Sequence, residues 1–159
     1  MLKDKKIVIT GIANKFSIAN GIAKAMAKNG AELAFLYQNE RLLKRIKPIA
    51  EELGVGTLVE CDVSSDDSID KAFAEIKTKC GKVDGLVHSI GFAPTDQLEG
   101  DFTEVTTREG FKIAHDISSY SFTALAKAAL PILSENAALL TLTYLGSIQS
   151  LPNYNVMGL

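Results

Sequence analysis

Short apolar runs of strand length alternate along this chain with longer stretches whose apolar residues recur at helical spacing. That alternation is the mark of an α/β protein, a parallel sheet covered by helices. Lys6-Ile7-Val8-Ile9-Thr10 predicts a first strand, and residues 17–28 a first helix in which Ile18, Ile22, Ala25 and Met26 are spaced to face the sheet. Asn29-Gly30 ends that helix. A second strand is expected over Glu32–Tyr37, then an amphipathic helix over Glu40–Leu53 whose Lys44, Arg45 and Lys47 form a solvated face or a binding patch. Residues 56–63 predict a third strand and Asp66–Cys80 a third helix, with Ser64 or Ser65 as its N-cap ahead of Asp66 and Asp67. A fourth strand is expected over 85–90, a long helix over 108–130 stopped by Pro131, and a fifth strand over 137–144.

Five parallel strands wound in this way form a Rossmann-like doubly wound sheet of order 3-2-1-4-5, with ligands expected beyond the carboxyl ends of the strands. Those ends direct attention to particular residues. Gly11 permits a tight turn after the first strand, and Ser17 at the next helix start offers a hydroxyl and main-chain amides to an anion. A plain strand, turn and helix with a serine N-cap would account for the same pair. Ala19 and Gly21 are small enough for close approach of helix to sheet, although the literal G-x-G-x-x-G is absent.

After the second strand, Gln38 stands where dinucleotide-binding domains commonly place an acid on the adenosine ribose. A neutral amide bonds a ribose hydroxyl but offers no cation to a 2′-phosphate, which favours NADH over NADPH, while nearby Arg41 and Lys44 keep NADPH open. Asp62 could accept from an adenine amino group with Val63 packed on the ring, or it could simply start the turn into the next helix.

Composition narrows the classes without choosing among them. The 159 residues suffice for one domain, 47% are hydrophobic and 23% charged, and a net charge of −2 argues against nucleic acid as a partner. The opening Met1 to Lys6 runs into an apolar stretch too short for a signal peptide or a membrane span, so a cytoplasmic protein is expected. Cys61 and Cys80 lack the spacing of a disulfide framework, a redox pair or a zinc site, and no metal is expected. His88, in a buried strand, and His115, in a helix, sit beside no nucleophile and read as structural.

Three long segments are more specific. Residues 11–21 (GIANKFSIANG), 88–94 (HSIGFAP) and 113–121 (IAHDISSYS), together with 140–146 (LTLTYLG) and 152–159 (PNYNVMGL), resemble bacterial NADH-dependent enoyl-[acyl-carrier-protein] reductases, a divergent branch of the short-chain dehydrogenases. The resemblance covers the whole chain. It implies NADH as cofactor, an enoyl thioester on acyl carrier protein as substrate, and a homotetramer. It also implies that Gly11, Ser17, Ile18, Gln38, Asp62, Val63 and Ile90 hold the cofactor, that Gly91 and Ala93 line the acyl and nicotinamide pocket, and that Tyr144 and Tyr154 are the two active-site tyrosines. Tyr154 would then stabilise the oxyanion that develops on the thioester, and Tyr144 would shape the pocket. Ser118, Ser119 and Tyr120 would lie at the flank of the site or at a subunit boundary.

Two departures from the family pattern stand out. Asn20 replaces a usual tyrosine beside the cofactor turn, a change expected to alter packing more than chemistry. The family's catalytic lysine lies seven positions after the second tyrosine, two residues beyond Leu159. The chain is thus expected to be the amino-terminal part of such an enzyme, incomplete after its fifth strand, with that strand an uncovered edge and NAD(H) binding without turnover as the alternative activity.

Overall fold

A computed structural model describes residues 1–159. Its strands are β1 (Lys6–Thr10), β2 (Glu32–Tyr37), β3 (Thr57–Glu60), β4 (Val83–His88) and β5 (Leu133–Thr141), all parallel, in the order β3-β2-β1-β4-β5. The expected α/β architecture and strand order are observed. Helices α1 (Ile18–Lys28) and α2 (Glu40–Leu53) cover one face, while α3 (Asp66–Cys80) and α6 (Ser121–Ala129) cover the other. Between β4 and α6 lie the short α4 (Phe102–Val105), then α5 (Arg108–His115) and a π turn over Asp116–Tyr120.

Alternation along the central strands divides the core. Ile7, Ile9 and Phe35 pack with Ala19, Ala23, Ile46 and Ile49, whereas Val8, Ala34 and Leu36 pack with Ile69, Phe73, Ile76 and Leu125. Both sets are buried because a parallel sheet covered on both faces leaves neither to water. Of the four α1 residues expected to face the sheet, Ile22 and Met26 pack against the core beside buried Ala19 and Ala23, whereas Ala25 is exposed and Ile18 points away from the core at 68% exposure. Gly21 faces open space, so only Ala19 serves the close approach.

Caps fix the helix entries. Ser65, the second of the two serines considered, accepts from the Ser68 amide at 3.3 Å, and Asn39 accepts from the Leu42 amide at 3.1 Å. Three strand limits differ from expectation. β3 ends at Glu60 because the Asp62 amide leaves the ladder and donates to Ser68 Oγ at 2.9 Å. β4 runs two residues earlier, from Val83, tied at its start by Asp84, which accepts from the Lys6 amide at 3.0 Å and from Lys5 Nζ and Ser134 Oγ at 2.9 Å each. β5 begins at Leu133, opposite Val83, and carries an irregularity before Ala138 pairs with Gly85; regular pairing then ends at Thr141. As an edge strand it exposes Leu139 and Leu140.

The expected single helix over 108–130 is three pieces, with the π turn inserted between α5 and α6 and a 3₁₀ turn over Leu130–Ile132. No helix is long and apolar enough to cross a membrane.

Candidate active site

The carboxyl ends of β1, β2, β3 and β4 surround a cavity of about 330 Å³. Gly11, Gln38, Asp62, Val63, Ile90 and Gly91 all line it, six of the expected residues brought together from four loops. Gly11 sits at φ +93°, and a Cβ there would overlap the Ser89 carbonyl, so the close approach of the β1 and β4 ends admits glycine only. Gln38 is exposed at the rim. Neither Arg41 nor Lys44 belongs to the lining, which contains no lysine or arginine.

Asp62 forms the turn expected of it and also stands in the cavity wall. Its Oδ1 accepts from the Ser64 amide at 3.0 Å and from Ser64 Oγ at 2.7 Å, which forms the turn, while the residue also walls the cavity. Beside it Cys61 is buried, and burial, with the neighbouring Asp62 charge second, pushes its thiol up to about 12, which favours the protonated form.

Ser17 lies outside this cavity lining and braces the loop instead. Its Oγ accepts from the Ala13 amide at 3.0 Å and the Asn14 amide at 3.1 Å, while Asn14 Oδ1 accepts from the Phe16 amide at 2.8 Å. The hydroxyl's lone pairs are therefore spent on the turn and it does not cap α1, while its hydrogen and the first-turn amides of that helix stay available as donors. Asn20 is buried and its Nδ2 donates to the Lys15 carbonyl at 2.8 Å, a further tie on the same loop.

Ser89, Ile90 and Gly91 also line a second cavity, of about 560 Å³, so the two spaces share a wall. Tyr144, Tyr154 and Ile18 face the second one. The two tyrosine rings lie with centroids 5.0 Å apart and planes tilted by 48°. Neither hydroxyl has a partner within the chain, although Tyr154 is half-buried. Gly146 lets the rings meet, since a Cβ there would come within 3.2 Å of both. Ala93 lines neither cavity; its predecessor Phe92 lines the first.

Ser118 and Ser119 border the second cavity as expected for the flank, and Tyr120, 53% exposed, turns to the outside. His115 also borders it, but its Nδ1 is held by the Phe111 carbonyl at 2.9 Å and its ring stacks on Phe111 at 4.0 Å. His88 is buried and fully bonded, a structural histidine as read from the sequence. The sequence reading did not single out Ile117, Phe122 or Met157 as wall residues. For Met157 a signal existed, because Gly91 leaves room that Met157 Cε fills: a Cβ on Gly91 would stand 3.3 Å from it.

Comparison with known proteins agrees with this geometry. A family profile described as enoyl-(acyl carrier protein) reductase matches residues 11–159. The chain is 58% identical over 158 residues to the enoyl-[acyl-carrier-protein] reductase [NADH] FabI of Escherichia coli K12, covering 99% of this chain and 60% of that protein. It is 53% identical over 156 residues to the protein of the same name from Haemophilus influenzae, covering 98% and 60%. A crystal structure of the enoyl-(acyl-carrier-protein) reductase of Anaplasma phagocytophilum in complex with NAD superposes with a TM-score of 0.94 at 42% identity, over 98% of this chain and 60% of that one. The NADH enzyme of Aquifex aeolicus VF5 gives 0.95 at 45% identity, over 99% and 62%. The chain thus spans about 60% of the length of the curated relatives it matches. With fold and sequence in agreement over almost its whole length, this chain belongs to the enoyl-(acyl carrier protein) reductase family.

Proposed function

We propose that this chain carries the cofactor cradle and the tyrosine pair of an NADH-dependent enoyl-thioester reductase acting on acyl carrier protein. The observation that carries the proposal is the shared wall: Ser89, Ile90 and Gly91 border both the cavity framed by Gly11, Gln38 and Asp62 and the cavity that holds Tyr144 and Tyr154. A dinucleotide laid in the first space would present its nicotinamide end to the second.

The residues fit such a cofactor. Gly11 lets the β1 and β4 ends close together as one wall of the cavity, and the first-turn amides of α1 supply donors for a pyrophosphate at the β1 turn. Gln38 bonds the adenosine ribose, while Asp62 and Val63 take the adenine. The lining has no cation for a 2′-phosphate, which favours NADH over NADPH. When bound, NADH supplies the hydride that reduces the β-carbon of a trans-2-enoyl thioester.

The chain's own contribution is electrostatic and steric. As negative charge moves onto the thioester oxygen, Tyr154 donates a hydrogen bond to it and holds the enolate until a proton reaches the α-carbon. Tyr144, packed on Tyr154 at 5.0 Å, limits how the acyl chain enters and keeps the second ring oriented. Gly91 lets Met157 pack against the sheet end, where both residues border the cavity that receives the substrate. We also assign a homotetramer to the complete enzyme, supported by exposed Tyr120 and Leu130 on the outer side of the α5 to α6 region.

The test is loss of NADH absorbance with crotonyl thioester as acceptor. Turnover with NADH exceeding that with NADPH supports the proposal. Reduction of a ketone faster than any enoyl thioester, or NADH binding with no acceptor reduced, would overturn it.

A further inference from the structure

His88 touches neither cavity, but Ser89, Thr141 and Phe122 beside it each line one. It ends β4, is 1% exposed, and bonds Ser121 Oγ through Nε2 at 2.7 Å and Thr141 Oγ1 through Nδ1 at 3.1 Å. Ser121 donates its own hydroxyl hydrogen to the Ile117 carbonyl at 2.6 Å. A hydroxyl has one hydrogen to give, so toward His88 the Ser121 oxygen is an acceptor and Nε2 must carry the proton. Nδ1 is then the acceptor of the Thr141 hydroxyl. The ring is thereby fixed as one neutral tautomer, in keeping with burial that lowers its affinity for a second proton.

These bonds close a circuit. From His88 the chain runs through Ser89, Ile90 and Gly91, the wall shared by both cavities, to Phe92, whose amide donates to Ser118 Oγ at 2.9 Å and whose carbonyl accepts from it at 3.0 Å. Ser118 lies in the π turn beside Ile117, which returns through Ser121 to His88. A spur runs through Thr141, three residues before Tyr144. Phe122, which lines the second cavity, rests against the imidazole with centroids 5.5 Å apart.

We infer that His88 and Ser121 are positioning residues of the reductase site, a buried clasp that locks the ends of β4 and β5 to the π turn and so sets the shared wall relative to Tyr144. This rests on the reductase reading above. The clasp touches no reacting atom and acts through geometry, where sub-ångström misplacement of a reacting group is costly in rate.

The experiment pairs imidazole NMR of the isotope-labelled protein with steady-state kinetics. In the wild type at neutral pH, His88 should show a single neutral Nε2–H tautomer; Ser121→Ala should turn this into a mixture of tautomers. The same substitution should lower kcat with crotonyl thioester on the order of tenfold, leaving KM and the NADH Kd within about twofold. Thr141→Val, which keeps the side-chain shape, should lower kcat in the same way, and Thr141→Ser should restore it. A wild-type Nδ1–H tautomer overturns the clasp, as does unchanged kcat in both Ser121→Ala and Thr141→Val, or a defect confined to NADH Kd. A wild type that reduces no enoyl thioester overturns the reductase reading instead, and the tautomer still reports on the clasp directly.

Discussion

Two residues dominate the site at the smallest scale, one for what it lacks and one for its hydroxyl. At Gly11 a side chain meets both a left-handed φ and the Ser89 carbonyl, so Gly11→Ala has no relaxed conformation to adopt. It should lower stability by about 2–4 kcal/mol and weaken NADH binding more than tenfold, read by denaturant titration and cofactor fluorescence. Tyr154→Phe removes a donor and leaves the ring packed on Tyr144. If the hydroxyl holds the developing enolate, kcat should drop on the order of 10²-fold with the NADH Kd unchanged, a split that single-turnover kinetics and cofactor titration would separate. The histidines behave differently: both ring nitrogens of His88 are committed, and His115 is held by a main-chain carbonyl and a phenyl face.

At the level of elements, the sheet is pinned at the end away from the cavities by Asp84, which joins the start of β1 to β4 and to Ser134. The Lys5 ammonium, then the Lys6 amide, hold its carboxyl down at about 2, against an ordinary 3.8. A depressed carboxyl stabilises the fold above its unfolded value, and that contribution fades as pH falls from about 4 towards about 2. Asp84→Asn should therefore cost on the order of 1 kcal/mol near neutral pH, after allowance for screening of the half-exposed Lys5, and should flatten the acid limb of the stability profile. Chemical denaturation at a series of pH values measures both.

Element boundaries also show what a single sequence encodes and what it does not. β1, β2, α2 and α3 were legible to the residue because periodicity, caps and the Asn29-Gly30 stop coincide there. The start of β5 was not: the strand was expected from Ala137, whereas the polar Ser134, Glu135 and Asn136 form an irregularity inside it opposite β4. The π turn left no periodic signal: its added residue shifts the helical phase, and what holds it, Ser121 to Ile117 and Ser118 to Phe92, includes a tertiary contact. On α1, Ile22 and Met26 pack on the core as expected, but Ile18, spaced to be a core residue, belongs to a cavity wall. Apolar periodicity does not separate a core face from a binding face.

For the whole molecule, function lies in how the carboxyl ends of the strands meet the segment after β5. The cavity walled by Gly11, Gln38, Asp62, Val63 and Ile90 was readable because each of these residues follows a strand end, where the doubly wound topology places ligands. The tyrosine side rested on the family resemblance, since no local spacing brings 144 and 154 together; the turn through Gly146 does. Ser17 stands in the loop after β1, where its Oγ braces Ala13 and Asn14, and Ala93 stands outside the lining while Phe92 lies within it.

The central claim is that the two adjoining cavities deliver a hydride to the β-carbon of an enoyl thioester. Deuterium placed on the transferable position of NADH and traced in the product of crotonyl thioester reduction tests it most directly. The account predicts the label on the β-carbon of a saturated butyryl thioester. Label on the carbonyl carbon of an aldehyde or alcohol, or none in the product, would contradict it.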